Sequence, residues 1–390
     1  MPNVRYFEVP TVMKHGVGAI VTLADEVKAL GVKRPLVVTD GGIVKAGLLA
    51  EIEKPLKAAG MGYAVFADVV ANPPVALVDK GAEFYRVEGC DGVVGVGGGS
   101  SLDTAKSIGV VAANGGSILE YEWADPQPIK QRIPPTIAVP TTAGTGSEVT
   151  LWAVITDPKR KIKYNVGGTG LIGAWMALID PALTVALPPA VTAGTGMDAL
   201  AHAVECYTGG PAQPFSDAVA LMAMEYVGQY LRIAFAQGHN MEARYKMCMA
   251  AMLGGMAYGT ESAGAAHAMS QTAGGVHDVP HGPLTARCLG PVMEYNYLGE
   301  PQKFARIAQA LGEDIRGLTV WRAAEKAVEA VYDLTEDVEI PTMQDLGFSE
   351  DEIPMLAEKA FNDPQTIGNP RDIDLKGYVQ VYQRTFEAGN

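Results

Sequence analysis

Long apolar runs are missing from this chain. None reaches the roughly 18 residues of a membrane-crossing helix, so no membrane span is expected. Cysteine is scarce: Cys90, Cys206, Cys248 and Cys288 are scattered, and none stands in a C-x-x-C pair. A reduced, cytoplasmic chain is the expectation. Positive charge is the rarer sign, with 30 Lys+Arg against 44 Asp+Glu and a formal charge of −14. That argues against non-specific nucleic-acid binding and against an anionic membrane surface. It leaves room for an anionic cofactor, because backbone N–H groups can hold phosphate. The opening MPNVRYFEVP lacks a basic stretch followed by an apolar run, so it does not read as a secretory signal. There is no G-x-x-x-x-G-K-[ST], which disfavours ATP hydrolysis by a P-loop. Internal repeats and low-complexity tracts are also lacking.

What is present is globular: 390 residues, 48% hydrophobic and 19% charged, with 45 glycines. At this length two domains are expected. Up to about residue 185 the pattern alternates. PLVVTD (35–40), YAVFADV (63–69), GVVGVGGGS (92–100) and TIAVPTTAGTGSE (136–148) read as strands running into turns or loops. Helical stretches at 44–60 and 76–89 lie between them. Such alternation implies a mostly parallel sheet covered on both faces, a Rossmann-like α/β domain over 1–185. From about 190 the strands disappear, and 190–206, 214–237, 241–258, 262–274, 301–312, 317–331 and 350–360 read as helices. An all-helical domain over 186–390 is expected, joined near DPALTVALPPA (180–190).

Two glycine loops carry chemistry. In GVGGGSSLDTAKSIG, Gly97, Gly98 and Gly99 permit close backbone approach of a ligand. Ser100, with Asp103 three residues on, has capping-box spacing, and the free N–H groups of the helix start can face a phosphate. A tight strand–helix turn that binds nothing is the alternative. The loop is not the G-x-G-x-x-G fingerprint. Its acidic partner is sought earlier, at Asp40, where a carboxylate can accept from the adenosine ribose and repel a 2′-phosphate, favouring NAD over NADP. Taken alone, Asp40 reads better as a solvated turn residue. The second loop, PTTAGTGSE, offers Thr141, Thr142, Thr145 and Ser147 to the nicotinamide end or the pyrophosphate.

Six histidines occur, and three lie between 267 and 281. In TGMDALAHAVECY, Asp198 and His202 are four apart and share one helix face among apolar neighbours. Alone they suit a buried hydrogen-bonded pair. With His267, in AGAAHAMS, and His281, between Pro280 and Gly282, they make one carboxylate and three imidazoles. That is a four-ligand site for a divalent metal, Fe(II) or Zn by ligand type. A metal with an open position lowers an alcohol's pKa and polarises a carbonyl. Beside a dinucleotide loop this points to hydride transfer, expected in the cleft between the domains.

On GGGSSLDTAK, PTTAGTGSE, TGMDALAHAVECY and HDVPHG (277–282), the chain resembles the iron-containing, group III alcohol dehydrogenases over nearly its full length. The resemblance implies a dehydroquinate synthase-like fold and an NAD-dependent alcohol dehydrogenase or aldehyde reductase acting on a short-chain alcohol or diol. It implies metal ligation by Asp198, His202, His267 and His281, with Fe(II) usual and Zn or another divalent ion possible. It implies cofactor contacts from Asp40, Asn72, Gly97, Gly98, Gly99, Ser100, Ser101, Thr141, Thr142 and Thr145, and from Lys163 near the nicotinamide ribose. Read alone, Lys163 is a surface cation in the KRKIK run. One departure stands out: where many members have a second histidine four residues after the first, this chain has Gln271, which is neither acid nor base at neutral pH. His277 is an added histidine and the candidate catalytic proton relay; a merely supporting or surface role is the equal alternative.

Competing functions are a hydroxyacid-oxoacid transhydrogenase with tightly held cofactor and, from another class, a metal-stabilised non-enzymatic binding protein. Glycerol dehydrogenases and dehydroquinate synthases share the two-domain plan, but no clear basic cluster for a phosphorylated substrate is visible. A homo-oligomer, dimer or higher, is expected from base rates and the resemblance. The pocket is expected to draw on 151–152, 258–262 and 361–369, with Trp152 and Phe361 as an apolar wall.

Overall fold

The computed structural model describes residues 4–123, 129–210, 213–260, 263–277 and 279–388. Glu261 and Ser262 of the expected pocket, and Asp278 of the HDVPHG motif, lie outside the described residues. The first half of the chain alternates strand and helix: β1 (Val12–His15), α1 (Leu23–Ala29), β2 (Pro35–Asp40), α2 (Gly41–Lys45), α3 (Leu48–Ala58), β3 (Ala64–Val69), α4 (Val75–Val87), β4 (Gly92–Gly97) and α5 (Gly99–Asn114). It continues with β5 (Thr136–Pro140), β6 (Trp152–Asp157), β7 (Ile162–Gly167) and β8 (Met176–Ile179).

Among the described residues, six strands form one sheet in the order β1-β8-β5-β4-β2-β3, with every neighbouring pair parallel. The inner strands β2, β4, β5 and β8 are apolar at almost every position because both faces are covered. Leu36, Val38, Phe66 and Val93 pack into one core with α4 and α5, while Val37, Val94, Val96 and Val139 pack into the other with α1 and α3. β2 and β4 lie side by side, yet the chain leaves β2 outward to β3 and leaves β4 the other way to β5. The crevice beyond the C-terminal ends of β2 and β4 is therefore the switch point at which open parallel sheets hold ligands. β6 and β7 form a separate antiparallel pair, which the sequence reading did not anticipate.

The second half is helical: α6 (Pro189–Thr208), α7 (Pro214–Ala236), α8 (Met241–Thr260), α9 (Ala265–Val276), α10 (His281–Asn296), α11 (Pro301–Ala310), α12 (Val320–Asp337), α13 (Ile353–Phe361) and α14 (Leu375–Glu387). Proline opens α6, α7 and α11 within their first turn, where its missing N–H costs nothing. The chain divides into two compact units: Glu8–Thr142 with Gly146–Ala186, and Leu187–Asn390 with Met1–Phe7 and Ala143–Thr145. An α/β unit with a parallel sheet and an all-helical unit are the expected fold class. No described helix is long and apolar enough to cross a membrane.

Candidate functional site

In the α/β unit the switch point carries the first glycine loop. Gly97 ends β4 with φ +143°, and a Cβ there would lie 2.5 Å from Ser101 Oγ and 3.1 Å from Asp40 Oδ2. A Cβ on Gly98 would meet Thr142 Oγ1 at 3.2 Å. Only glycine lets the strand turn this tightly into α5. The expected cap at Ser100 is corrected by the structure. Gly98 is the N-cap of α5, with no side-chain cap and no acidic residue in the first turn, so the start of the helix is open to an anion. Asp103 turns inward instead, accepting from Ser147 Oγ and from Val154 N at 2.9 Å.

Asp40 stands at the end of β2 and N-caps α2, accepting from Gly42 N at 2.8 Å and Ile43 N at 3.1 Å. Its other oxygen accepts from Ser101 Oγ at 2.9 Å, which ties the acidic residue to the glycine loop. Thr141 donates its N–H to Gly97 O at 3.0 Å. Asn72 holds φ +52° in the turn between β3 and α4. Lys163 is buried on β7 opposite Thr156 rather than being a surface cation. Thr145 belongs to the short 143–145 segment of the helical unit.

The helical unit gathers the metal-type donors. The atoms offered by Asp198, His267 and His281 lie within 4.8 Å of one another. His281 Nε2 is 3.5 Å and His267 Nε2 3.8 Å from Asp198 Oδ1. His202 stacks on His267 with ring centroids 4.5 Å apart. Close helix packing makes this possible. A Cβ on Gly282 would come within 2.6 Å of the Gly194 carbonyl oxygen, so α10 lies directly against α6 and presents His281 to Asp198.

The electrostatics of the cluster call for a cation. Asp198, His202 and His267 are each under 5% exposed. Asp198 Oδ1, His202 Nδ1 and His267 Nε2 have no hydrogen-bond partner. Buried polar atoms are rarely left so, and each orphan is a lone-pair donor of the kind a divalent ion takes. Burial pushes the Asp198 carboxyl up to about 6. Burial, then the neighbouring His267, pushes His202 well below the usual imidazole range. For His267 burial acts downward, but Glu205, Asp198 and Asp363 together outweigh it and the shift is upward. The residues present suit a divalent metal.

Glu205 was missed in the sequence, although D-x-x-x-H-x-x-E puts Asp198, His202 and Glu205 on one face of α6. It accepts from Ala266 N at 2.7 Å and bonds His267 Nδ1. Tyr258 falls within the 258–262 stretch expected to line the pocket. Its ring lies 5.0 Å from His202. Asp363, buried and pushed by that burial to about 6, also acts electrostatically on His267.

Gln271, one turn along α9 from His267, accepts from Gln365 Nε2 at 3.1 Å. His277 is not a member of the metal-type cluster: its Nε2 is 2.7 Å from Glu352 Oε1 and its ring stands edge-on to Phe348. Of the expected apolar wall, Phe361 is 44% exposed and Trp152 packs edge-on against Trp123.

The iron-containing alcohol dehydrogenase family model matches residues 10–181, and that family's C-terminal model matches residues 192–386. The chain is similar to the choline dehydrogenase of Bacillus subtilis (strain 168), with 56% identity over 387 residues covering 99% of this chain and 96% of the relative. It is similar to the NAD-dependent methanol dehydrogenase of Bacillus methanolicus, with 38% identity over 96% of this chain and 98% of the relative. A crystal structure of 1,3-propanediol oxidoreductase matches with a TM-score of 0.94 at 38% identity, over 98% of this chain and 100% of that one.

Proposed function

Because the chain belongs to the iron-containing alcohol dehydrogenase family, we propose that it oxidises a small primary alcohol or diol with NAD, and runs the reverse aldehyde reduction, using a divalent metal held by Asp198, His202, His267 and His281. The observation that carries this reading is the set of three buried, unpartnered donor atoms on Asp198, His202 and His267. The overall reaction moves a hydride from the carbinol carbon to nicotinamide C4 and releases the hydroxyl proton. A divalent ion, iron by family, supplies Lewis acidity, lowering the pKa of an alcohol and polarising a carbonyl.

The rest falls to the chain. Asp198 brings negative charge to a site otherwise made of imidazoles. Gly97, Gly98, Gly99, Ser100 and Ser101 offer the pyrophosphate an uncapped helix start. Asp40 receives the adenosine ribose, and Asn72, Thr141, Thr142, Thr145 and Lys163 complete the cofactor set. An imidazole is the side chain suited to passing a proton near neutrality, so His277, with Glu352 as its partner, is the proposed relay.

Within the alcohols, choline is the substrate to test first. Support comes from the choline dehydrogenase relative and from the formal charge of −14, which draws cations. The Tyr258 ring face beside His202 adds a surface of the kind that holds quaternary ammonium groups. Four buried cysteines, none of them in a disulfide, support a reducing, cytoplasmic setting, and a homo-oligomer is the proposed assembly, since most soluble oligomers are symmetric copies of one chain.

The test follows NADH at 340 nm with metal-loaded protein on choline, methanol, short primary alcohols, 1,3-propanediol and hydroxyacids. NADH formation with at least one alcohol is expected. No turnover of free NAD on any of them, with hydride exchange between paired substrates instead, would replace the proposal with the transhydrogenase reading.

Asp40→Ala tests the cofactor assignment. Removing the carboxylate is expected to lower the ratio of kcat/KM for NAD over NADP by about tenfold, roughly 1.4 kcal/mol. A lost helix cap alone would cost about 1 kcal/mol of stability and leave the ratio unchanged.

A further inference from the structure

We propose that Glu205 decides which nitrogen of His267 faces the metal, and that it does so with the same carboxylate on which helix α9 begins. The inference rests on the metal site proposed above. Glu205 lies on α6, seven residues after Asp198 and three after His202, on the face those ligands occupy. It is 4% exposed.

One of its oxygens accepts the Ala266 N–H at 2.7 Å and the other meets His267 Nδ1. Gly264, the N-cap of α9, has no side chain to cap the helix, and a Cβ there would sit 2.9 Å from Glu205 Oε1. The start of α9 is therefore satisfied from α6. A carboxylate offers lone pairs only, so His267 must carry its proton on Nδ1. The neutral ring then has its bare lone pair on Nε2. That is the unpartnered atom 3.8 Å from Asp198 Oδ1. Glu205 thus holds the first turn of α9, together with Asn369 Oδ1, which accepts the Ala265 N–H at 3.4 Å, and sets the orientation of the imidazole and its tautomer. Partners of this kind fix ligand histidines in metal sites generally.

Glu205→Gln keeps the shape and splits the two tasks. If the amide oxygen keeps Ala266 N–H, the NH2 group faces His267 Nδ1 and draws the ring proton to Nε2. If the amide turns over, its NH2 opposes the Ala266 N–H and α9 loses its start.

The experiment titrates metal-stripped full-length protein with Co(II) against a competing chelator. Glu205→Gln is expected to bind about 10–100-fold more weakly than wild type, with an unchanged far-UV circular dichroism spectrum and unchanged NAD binding by fluorescence. Affinity within twofold of wild type would overturn the proposal. The wild-type protein supplies a second, independent readout. Its 15N-histidine spectrum, recorded at alkaline pH where the ring is neutral and with His267 identified by the signal lost in His267→Gln, is expected to show a protonated Nδ1 and a bare Nε2. A proton on Nε2 would overturn the proposal even if the variant fails to fold. Wild type that binds no Co(II) would instead sink the metal-site reading, and the tautomer would still decide the role of Glu205.

Discussion

Asp198→Asn protein is expected to fold, to purify without metal, and to turn over NAD and alcohol about a thousandfold more slowly. The magnitude follows from the chemistry at stake. Lewis-acid stabilisation is worth several kcal/mol, and each 1.36 kcal/mol is a factor of ten. The amide introduced by this substitution is nearly the same size as the carboxylate but neutral, so the site loses the charge that offsets the ion while its packing stays. Asp198 Oδ1 has no hydrogen-bond partner to lose. The decisive readout is the response to metal, since the metal-free variant also loses the Asp198 charge beside His267 and His281. Added Fe(II) or Zn should raise the Tm of wild type, because a ligand that binds only the folded state stabilises it, and should leave the variant unmoved. A variant that keeps wild-type activity and its metal would remove Asp198 from the site.

The second large effect is on stability, in the α/β unit. Lys106 on α5 is 1% exposed, and its ammonium donates to Ser147 O at 2.9 Å, to Thr150 Oγ1 at 3.2 Å and to Trp152 O. Asp103 lies 3.6 Å away. Lys106 thus clamps the segment after the second glycine loop onto the helix that begins at the first. Burial raises Asp103, and raises Glu148 to about 7, while Lys106 pulls both back.

Lys106→Met fills the space but leaves buried carboxyl and carbonyl groups without their cation. Breaking a buried pair in this way costs about 3–5 kcal/mol, a Tm loss on the order of 10 °C. The sign with pH is also set. A carboxyl whose folded pKa is raised binds its proton more tightly folded than unfolded, so its contribution falls as pH rises through that window. Without Lys106 both carboxyls rise further. The Tm gap between variant and wild type should therefore widen as pH rises through about 7, where wild-type Glu148 gives up its proton and the variant's does not. Differential scanning calorimetry across that range checks it, and a gap that narrows with pH would contradict the assignment.

Much of this was legible before the structure. Runs such as PLVVTD and GVVGVG are apolar at consecutive positions because a parallel sheet is buried on both faces, and the sequence reading recognised them on that ground. That Asp198 and His202 share a helix face followed from their spacing, and the histidine cluster added His267 and His281 as expected ligands; the structure brings the donor atoms of Asp198, His267 and His281 together. Three things escaped, each for a physical reason. The β6–β7 pair was hidden because its turn is a run of charges, KRKIK, while Lys163 within it points inward and is buried. The cap of α5 was misassigned because Ser100 and Asp103 have the right spacing for one. The helix starts earlier, at Gly99, and Asp103 is drawn into the Lys106 network. Glu205 was overlooked because an acid in an apolar helix carries no meaning until its partners, Ala266 and His267, are found about sixty residues away.

Whether the metal carries the reaction is read from the rate of NADH formation from NAD and a primary alcohol as Fe(II) is titrated into metal-stripped protein. No rate is expected without metal, followed by a rise that saturates at one ion per chain. A rate that is already present in stripped protein and does not change with added metal would contradict the metal's role.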